Sequence, residues 1–182
     1  MNSLLFHGAD LLDISAGRLK AITDDIQNLS AAIMRDQDEA FAAIMKRARL
    51  DPVVLDKAVA TTEQAEVSGG RELQCIVTLP FTGSPDLFRS RPSSFTLNPP
   101  QGELDGNKIV FSAVFPNSID QEQIRAWRGQ NVANIESWLG FANADAEAHN
   151  VAAAGRTREE YGRRRENLNR IETLNKELGE GV

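Results

Sequence analysis

The sequence predicts an α+β fold, with N-terminal helical segments, a small antiparallel β region and a long C-terminal helical segment. In the first and last thirds, apolar residues recur every three or four positions, which is the period of an amphipathic helix. In the middle third they alternate with polar residues and are interrupted by glycine and proline, as is typical of strands and turns. A chain of 182 residues is long enough for one domain with a helical extension.

The N-terminal helical region is predicted by five apolar residues on one helical face. They are Leu19, Ile22, Ile26, Leu29 and Ile33. Ser30 is a candidate N-cap inside this run, so the pattern fits either one long helix or two. The region should end at Asp51-Pro52, because a residue that precedes proline is disfavoured in the helical conformation.

The β region is predicted by two stretches with a period of two. In the first, Leu73, Cys75, Val77 and Leu79 alternate with polar residues. In the second, near residues 101–115, a turn at Asp105-Gly106 or Gly106-Asn107 precedes the alternating residues Ile109, Phe111 and Ala113. Glycine and asparagine supply the positive φ of tight turns, so this stretch predicts a hairpin.

A proline-rich block, residues 79–104, connects these stretches and holds five of the seven prolines. Its apolar side chains predict an ordered loop rather than a flexible linker. They are Phe81, Leu87, Phe88, Phe95 and Leu97. Arg89 and Arg91 would point the same way in an extended chain, where they could contact an acidic partner or a phosphate. The alternative is that both pair with acidic residues of this chain.

The C-terminal third carries two apolar seams. The first contains Ile124, Trp127, Ile135, Trp138 and Ala142, and its two tryptophans are expected to be buried against the β region. The second, here called the C-terminal seam, consists of Tyr161, Arg164, Leu168, Ile171, Asn175 and Leu178. It is thin, which suits an arm that completes its burial against another chain. A helix break is expected near Gly155, because glycine is unfavourable inside helices.

These patterns predict a globular domain over residues 1–155 and a helical extension over 156–182, with continuity to the preceding helix as the alternative. The single cysteine excludes an intrachain disulfide, and its place on a strand favours a buried role. The chain has no signal peptide pattern and no apolar run of membrane-spanning length, so we expect a cytoplasmic protein without membrane contact.

Catalytic and metal-binding patterns are weak. Asp145 and His149 are four residues apart and could form half of a metal site, but a surface pair is the more common arrangement. The sequence contains neither a G-x-S-x-G elbow nor a phosphate-binding glycine-rich motif. We therefore expect no catalytic residue, no cofactor and no metal site, and the chain is not expected to be an enzyme.

The strongest polar cluster lies in residues 156–170, with six arginines and three glutamates around Tyr161. The candidate interaction residues here are Arg156, Arg158, Arg163, Arg164, Arg165 and Tyr161. Arginine binds phosphate bidentately, so these residues could contact nucleic acid. Alternatively, the glutamates pair with them on a solvated helix. The formal net charge of −6 favours the second interpretation.

Three stretches resemble a set of uncharacterised bacterial proteins. They are LLFHGADLL (4–12), the block LPFTGSPDLFRSRPSSFTLNPPQGEL (79–104) and RRRENL (163–168). In the longer of those proteins the similar region is an N-terminal module that precedes a restriction-endonuclease-like domain. The resemblance implies a place in bacterial DNA handling or antiphage defence. It transfers no catalytic residue, because nuclease activity would need that second domain.

Taken together, the sequence predicts a non-catalytic interaction module that self-associates or binds a protein partner. A module that contacts nucleic acid through the arginines at 156–165 is the alternative.

Overall fold

The computed structural model describes residues 3–30, 32–35 and 37–179 and has the mixed α+β architecture predicted from the sequence. Residues 1–2, 31, 36 and 180–182 lie outside this described part, and the last three belong to the predicted C-terminal extension. The elements in chain order are β1 (Ser3–Leu4), α1 (Leu11–Gln27), α2 (Gln37–Ala48), β2 (Val54–Leu55), β3 (Thr61–Val67), β4 (Glu72–Thr82), α3 (Asp86–Arg89), β5 (Gln101–Asp105), β6 (Lys108–Pro116) and α4 (Gln121–Gly179).

The chain folds as two compact units. The first contains the residues up to Leu12 together with Asp51–Glu147, and the second contains Asp13–Leu50 together with the residues from Ala148 onward. The predicted division of the chain at residue 155 stays a prediction.

An antiparallel sheet forms the centre of the first unit. Its strand order is β1-β5-β6-β4-β2, and β3 also pairs with β4. Along β4 the side chains of Cys75, Val77, Leu79 and Phe81 are buried, and the residues between them are half-buried. This alternation confirms the predicted strand and gives the sheet one apolar face.

The predicted hairpin is present between β5 and β6, where Asp105 pairs with Lys108 across a two-residue turn. Gly106 adopts a φ of 56°, and no positive φ occurs at Asn107. A positive φ at the first turn residue alone is the pattern of a type II′ turn, which matches the twist of the paired strands. Gly106 is therefore the residue that the turn requires.

The first half of α4 packs within the first unit and carries the predicted apolar seam. Ile135, Trp138 and Ala142 are buried. Trp127 is half-buried, with its ring 5.6 Å from Phe111 and 5.4 Å from Phe115 of β6. Trp138 is 3% exposed, but its aromatic neighbours belong to the segment after β1 and to the proline-rich block. The expected contact with the β region is thus observed for Trp127, whereas Trp138 packs mainly on loop residues.

The second unit is helical and is built from α1, α2 and the second half of α4. The N-terminal run forms two helices, and Ser30 lies between them with its hydroxyl accepting a hydrogen bond from the Ile33 amide at 3.4 Å. The core contains Ile22, Ile26, Met34, Ala40, Ile44, Ala48, Ala153 and Tyr161. Residues from all three helices therefore share one apolar cluster.

Helix α4 continues through Gly155, so the predicted break there is wrong. Ala153 and Thr157 on either side are fully buried, and the Thr157 hydroxyl donates to the Ala153 carbonyl at 2.7 Å. Burial on both sides of the glycine offsets a helix penalty of about 1 kcal/mol.

Candidate functional site

The arginines predicted from the sequence are held by partners in the second unit. Arg156 donates from Nε to Thr23 Oγ1 at 3.1 Å and lies 3.3 Å from Glu160. Arg158 lies over the Phe41 ring, with 6.0 Å between the guanidinium carbon and the ring centroid. Both contacts tie α4 to neighbouring helices of its own unit.

Arg163 and the buried Glu160 extend this network. Arg163 contacts Glu159 at 2.6 Å and Glu160 at 3.3 Å. The Glu160 side chain is only 6% exposed and lies between the guanidinium groups of Arg156 and Arg163. A buried carboxylate needs such compensation because it has lost most of its hydration. Arg156 and Arg163 therefore have a structural role.

Arg164 and Tyr161 bind backbone carbonyl groups. Arg164 donates from Nε and Nη2 to the Leu29 carbonyl at 3.2 and 2.9 Å, just beyond the end of α1. A cation at this position complements the helix dipole and satisfies a terminal carbonyl. Tyr161 is 2% exposed, and its hydroxyl donates to the Met34 carbonyl at 3.3 Å. Tyr161 thus lies in the core and not on the surface.

Arg165 differs from the other arginines of the cluster. It is exposed and has no hydrogen-bond or ion-pair partner among the residues that the structure describes. It lines a concave surface of about 600 Å³ together with Met34, Leu168 and Ile171.

The other two candidate arginines, in the proline-rich block, pair within the chain. Arg89 ends the short helix α3 and lies 3.4 Å from Asp86. Arg91 donates from Nε to Asp10 at 2.6 Å and lies over the Phe95 ring at 5.9 Å. The segment is helical at Arg89, so the extended conformation under which both side chains would point the same way is not present there. The alternative of intrachain pairing is what the structure contains.

The proline-rich block is anchored mainly by three of the five apolar residues predicted to hold it. Phe81, Leu87 and Phe88 are buried, and the rings of Phe81 and Phe88 are 4.8 Å apart. Phe95 stacks on Trp138 at 5.9 Å but remains half exposed, and Leu97 is 99% exposed. Leu97 therefore anchors nothing.

Polar contacts to α4 hold the exposed part of the same block. Asp145 accepts hydrogen bonds from both the amide and the hydroxyl of Ser93 at 2.6 Å. The Trp138 indole donates to Thr96 Oγ1 at 3.0 Å. These contacts support an ordered loop in the first unit.

The histidine and cysteine considered for chemistry have ordinary structural partners. His149 is buried, with Nδ1 2.8 Å from Ser15 Oγ and Nε2 2.8 Å from the Ala48 carbonyl. A carbonyl only accepts, so Nε2 carries a proton and donates to it. Cys75 is fully buried, and that burial raises the pKa of its thiol. Within the described ranges, no group of three or more His, Cys, Asp or Glu side chains could hold a metal ion.

The C-terminal arm, defined as residues 169–179 of α4, is exposed along its whole length. Ile171, Leu174 and Leu178 are 51, 46 and 74% exposed. Leu168, just before the arm, is half-buried against the core of the second unit. The C-terminal seam therefore has two parts, a packed part that ends near Leu168 and an exposed part beyond it.

Sequence reasoning missed a cleft between β3 and α4 in the first unit. Its polar end, of about 170 Å³, is lined by Thr62, Gln64, Gln121, Ile124, Arg125 and Arg128. An adjoining part of about 330 Å³ shares both arginines and is otherwise largely apolar. The sequence signals were a glycine inside a helical stretch, Gly129, and two polar residues on alternate positions of a strand, Thr62 and Gln64.

No helix in the described ranges combines the length and the apolar character needed to cross a membrane. Comparison of the chain with protein-family models, with curated proteins and with solved structures finds no significant match.

Proposed function

We propose that the chain is a non-catalytic module that self-associates through the C-terminal arm. The observation that carries this proposal is the exposure of Ile171, Leu174 and Leu178 on a helix that continues beyond the core of its unit. Exposed apolar side chains on one helix face are a common feature of interaction sites. A helical segment as short as the arm is marginal in water when nothing packs against it, so a partner would stabilise the arm.

A second copy of the chain is the partner that the residue spacing favours. The C-terminal seam has alternating spacings of three and four, and in its exposed part Ile171 and Leu178 lie at the inner positions of a heptad pattern. Asn175 occupies one of the same positions, and a single buried asparagine is a known device for fixing the register of paired helices. Two identical helices can match such a polar layer to itself.

The arginine contacts favour self-association over nucleic-acid contact. Arg156, Arg163 and Arg164 already have partners in their own unit, and Arg158 lies on an aromatic ring. Nucleic-acid binding through the arginines at 156–165 would have to break these contacts or rely on Arg165. The net charge of −6 also opposes approach to a polyanion.

The resemblance described above implies a role for this module in bacterial DNA handling or antiphage defence, and we include that role in the proposal. In that role it would hold copies of an effector domain together, and the effector domain would supply any catalytic activity. We offer this cellular role as part of the proposal, on the strength of the segments 4–12, 79–104 and 163–168.

The proposal is tested by placing a charge on the exposed part of the seam. Ile171→Glu should lower the molar mass measured by light scattering to that of the monomer, because a carboxylate is costly inside an apolar interface. Thr173→Glu is the matched control, since it adds the same charge to an exposed position outside the seam.

Both variants should fold with a helix content close to that of the parent, because both residues are exposed and glutamate is a good helix former. Ile171→Glu should melt no higher than the parent, because it loses the stabilisation that the partner supplies. If Ile171→Glu has the same molar mass as the parent and the control, the arm is not the association surface.

A further inference from the structure

The edge of the sheet at β3 has an unusually polar inner face. Thr62 pairs with Val77, and Gln64 pairs with Cys75. Cross-strand partners lie on the same face of a sheet, and Val77 and Cys75 are fully buried on the apolar face of β4. Where that apolar face continues onto β3, a hydroxyl and an amide therefore stand in place of aliphatic side chains.

The opposing side of the β3–α4 cleft is one face of helix α4. Gln121, Arg125, Arg128, Val132 and Glu136 follow one another at spacings of four and three, which aligns them along the helix. Within the described part of the chain, neither Arg125 nor Arg128 has a hydrogen-bond or ion-pair partner. Two unpaired guanidinium groups thus line the same cleft.

The polar end of the cleft contains hydrogen-bonding groups but no carboxylate. Thr62, Gln64 and Gln121 line it with the two arginines. The Thr62 hydroxyl oxygen is inaccessible to solvent and has no hydrogen-bond partner in the structure. Buried polar atoms are nearly always paired, so this orphan marks a position in the wall of the cleft where the fold itself leaves a polar group unsatisfied.

Gly129 opens the apolar part of the cleft. It lies inside α4, where glycine is less favourable than alanine, and a Cβ placed there would contact nothing within 4 Å. The space it leaves adjoins Ala60, Leu79 and Val132. At about 330 Å³ this part reaches the lower end of the range of small-molecule pockets, about 300–1,000 Å³.

We propose that the β3–α4 cleft binds a small phosphate ester with a largely apolar body. Arg125 and Arg128 donate charge-assisted hydrogen bonds to the phosphate oxygens. The body lies beside Gly129 against Leu79 and Val132. The carboxylate of Glu136 does not oppose the anion, because it lines the apolar part alone and is paired with Lys57 at 2.7 Å.

A phosphate suits this donor set better than a carboxylate does. Guanidinium groups bind phosphate oxygens in a bidentate manner, and two of them can share the three oxygens of one terminal phosphate. A single carboxylate has two oxygens, so two guanidinium groups that each bind in a bidentate manner would have to share both of them. The site is independent of the proposed self-association, since every lining residue belongs to the first unit.

The test is calorimetric titration of the full chain with inorganic phosphate, phenyl phosphate and adenosine 5′-monophosphate. We expect at least one of the two esters to bind with a dissociation constant of about 1 mM or tighter, and more tightly than inorganic phosphate. Arg125→Ala and Arg128→Ala should each weaken that binding by about tenfold or more, because each removes charge-assisted hydrogen bonds. Lys108→Ala is the matched control, since it removes one exposed positive charge from the same unit outside the cleft.

A large side chain placed in the apolar part of the cleft tests that part separately from the phosphate-binding part. Gly129→Leu should abolish ester binding and leave inorganic phosphate binding within about twofold, whereas Gly140→Leu, at an equally open glycine of the same helix, should change neither. Melting temperatures near that of the parent establish that the variants fold. The proposal is overturned if neither ester binds saturably, or if the arginine variants weaken binding no more than Lys108→Ala does.

Discussion

At the scale of single residues, Trp138 combines deep burial with aromatic and hydrogen-bond partners. It is 3% exposed, its indole hydrogen-bonds Thr96, and its ring lies 5.6 Å from Phe6 and 5.9 Å from Phe95. Trp127 on the same helix is half-buried and contacts Phe111 and Phe115. The two tryptophans therefore differ in how much packing each supplies.

This difference predicts unequal effects of substitution. Trp138→Ala should lower the free energy of unfolding by about 3–5 kcal/mol, because it leaves a cavity where the indole packed and removes the hydrogen bond to Thr96. Trp127→Ala should cost less, since part of its ring is already in water. Urea denaturation followed by circular dichroism measures both changes. Equal midpoints for the two variants, or no change for Trp138→Ala, would contradict this account of the packing.

Asp10 and Arg91 form the ion pair that joins the start of the chain to the proline-rich block. The hydrogen bond from Arg91 holds the pKa of Asp10 below its ordinary value of 3.8. A carboxyl whose pKa is lower in the folded state stabilises the fold fully above its unfolded pKa. That stabilisation disappears as the pH falls through the folded value.

The parent protein should therefore lose the contribution of Asp10 only below about pH 4. Asp10→Asn should be less stable than the parent at pH 7, and the difference should shrink as the pH is lowered from about 4 towards 2. Asp13→Asn, which removes a carboxylate without an ion pair in the described part of the chain, is the control. Urea midpoints at each pH measure the effect. A constant difference between parent and Asp10→Asn across this range would show that the pair does not stabilise the fold.

At the scale of elements, the periodicity of apolar residues predicted the strand and the turn correctly. It failed where tertiary packing determines whether a helix continues. The alternation along β4 and the turn at Gly106 were readable because both follow from local backbone geometry. The continuity of α4 through Gly155 could not be predicted from the sequence, because it depends on the burial of Ala153 and Thr157 against distant residues.

The candidate site was less predictable than the fold. The sequence of an arginine-rich stretch does not show whether its side chains bind phosphate or backbone carbonyl groups. Arg164, for example, binds the carbonyl of Leu29, which lies 135 residues away in the chain. The β3–α4 cleft joins residues about sixty positions apart, from Thr62 to Arg125, and no local pattern reports such a meeting. The local signals were Gly129, as a glycine in an otherwise helical stretch, and the polar residues Thr62 and Gln64 on alternate positions of a strand, and neither signal shows that these residues meet.

The proline-rich block offers a prediction at this scale. The Arg91 amide donates to the Ala9 carbonyl at 3.0 Å, and the Ser93 amide donates to Asp145 at 2.6 Å. Amides in such hydrogen bonds exchange slowly, so both should be protected from hydrogen exchange relative to the amide of Leu97, whose side chain is fully exposed. Mass spectrometry with residue resolution measures the three rates. Exchange of Arg91 and Ser93 at the rate of an unfolded chain would mean that the block is a flexible linker.

At the scale of the whole molecule, the central claim is self-association through the C-terminal arm. The truncation that tests it must begin after Leu168, because Thr157, Glu160 and Tyr161 are buried in the core of the second unit. Removal of residues from 156 onward would damage that core, so a lower measured mass could no longer be assigned to loss of association alone. Net charge also matters here, since each copy carries −6 and two copies repel each other.

Added salt therefore distinguishes the two proposed roles. It screens the repulsion between two acidic chains, so an apolar interface between them should persist or tighten as ionic strength rises. Contact with nucleic acid should instead weaken steeply with salt, because it releases condensed counterions.

The most direct measurement is sedimentation equilibrium of the full chain and of a chain that ends at Leu168, each at low and high salt. The account predicts that the full chain approaches twice its 20.0 kDa mass at concentrations of tens of micromolar, where weak interfaces become populated, at both salt levels. The shortened chain should stay monomeric and folded. A full chain that remains at 20.0 kDa up to about 100 µM would contradict the central claim.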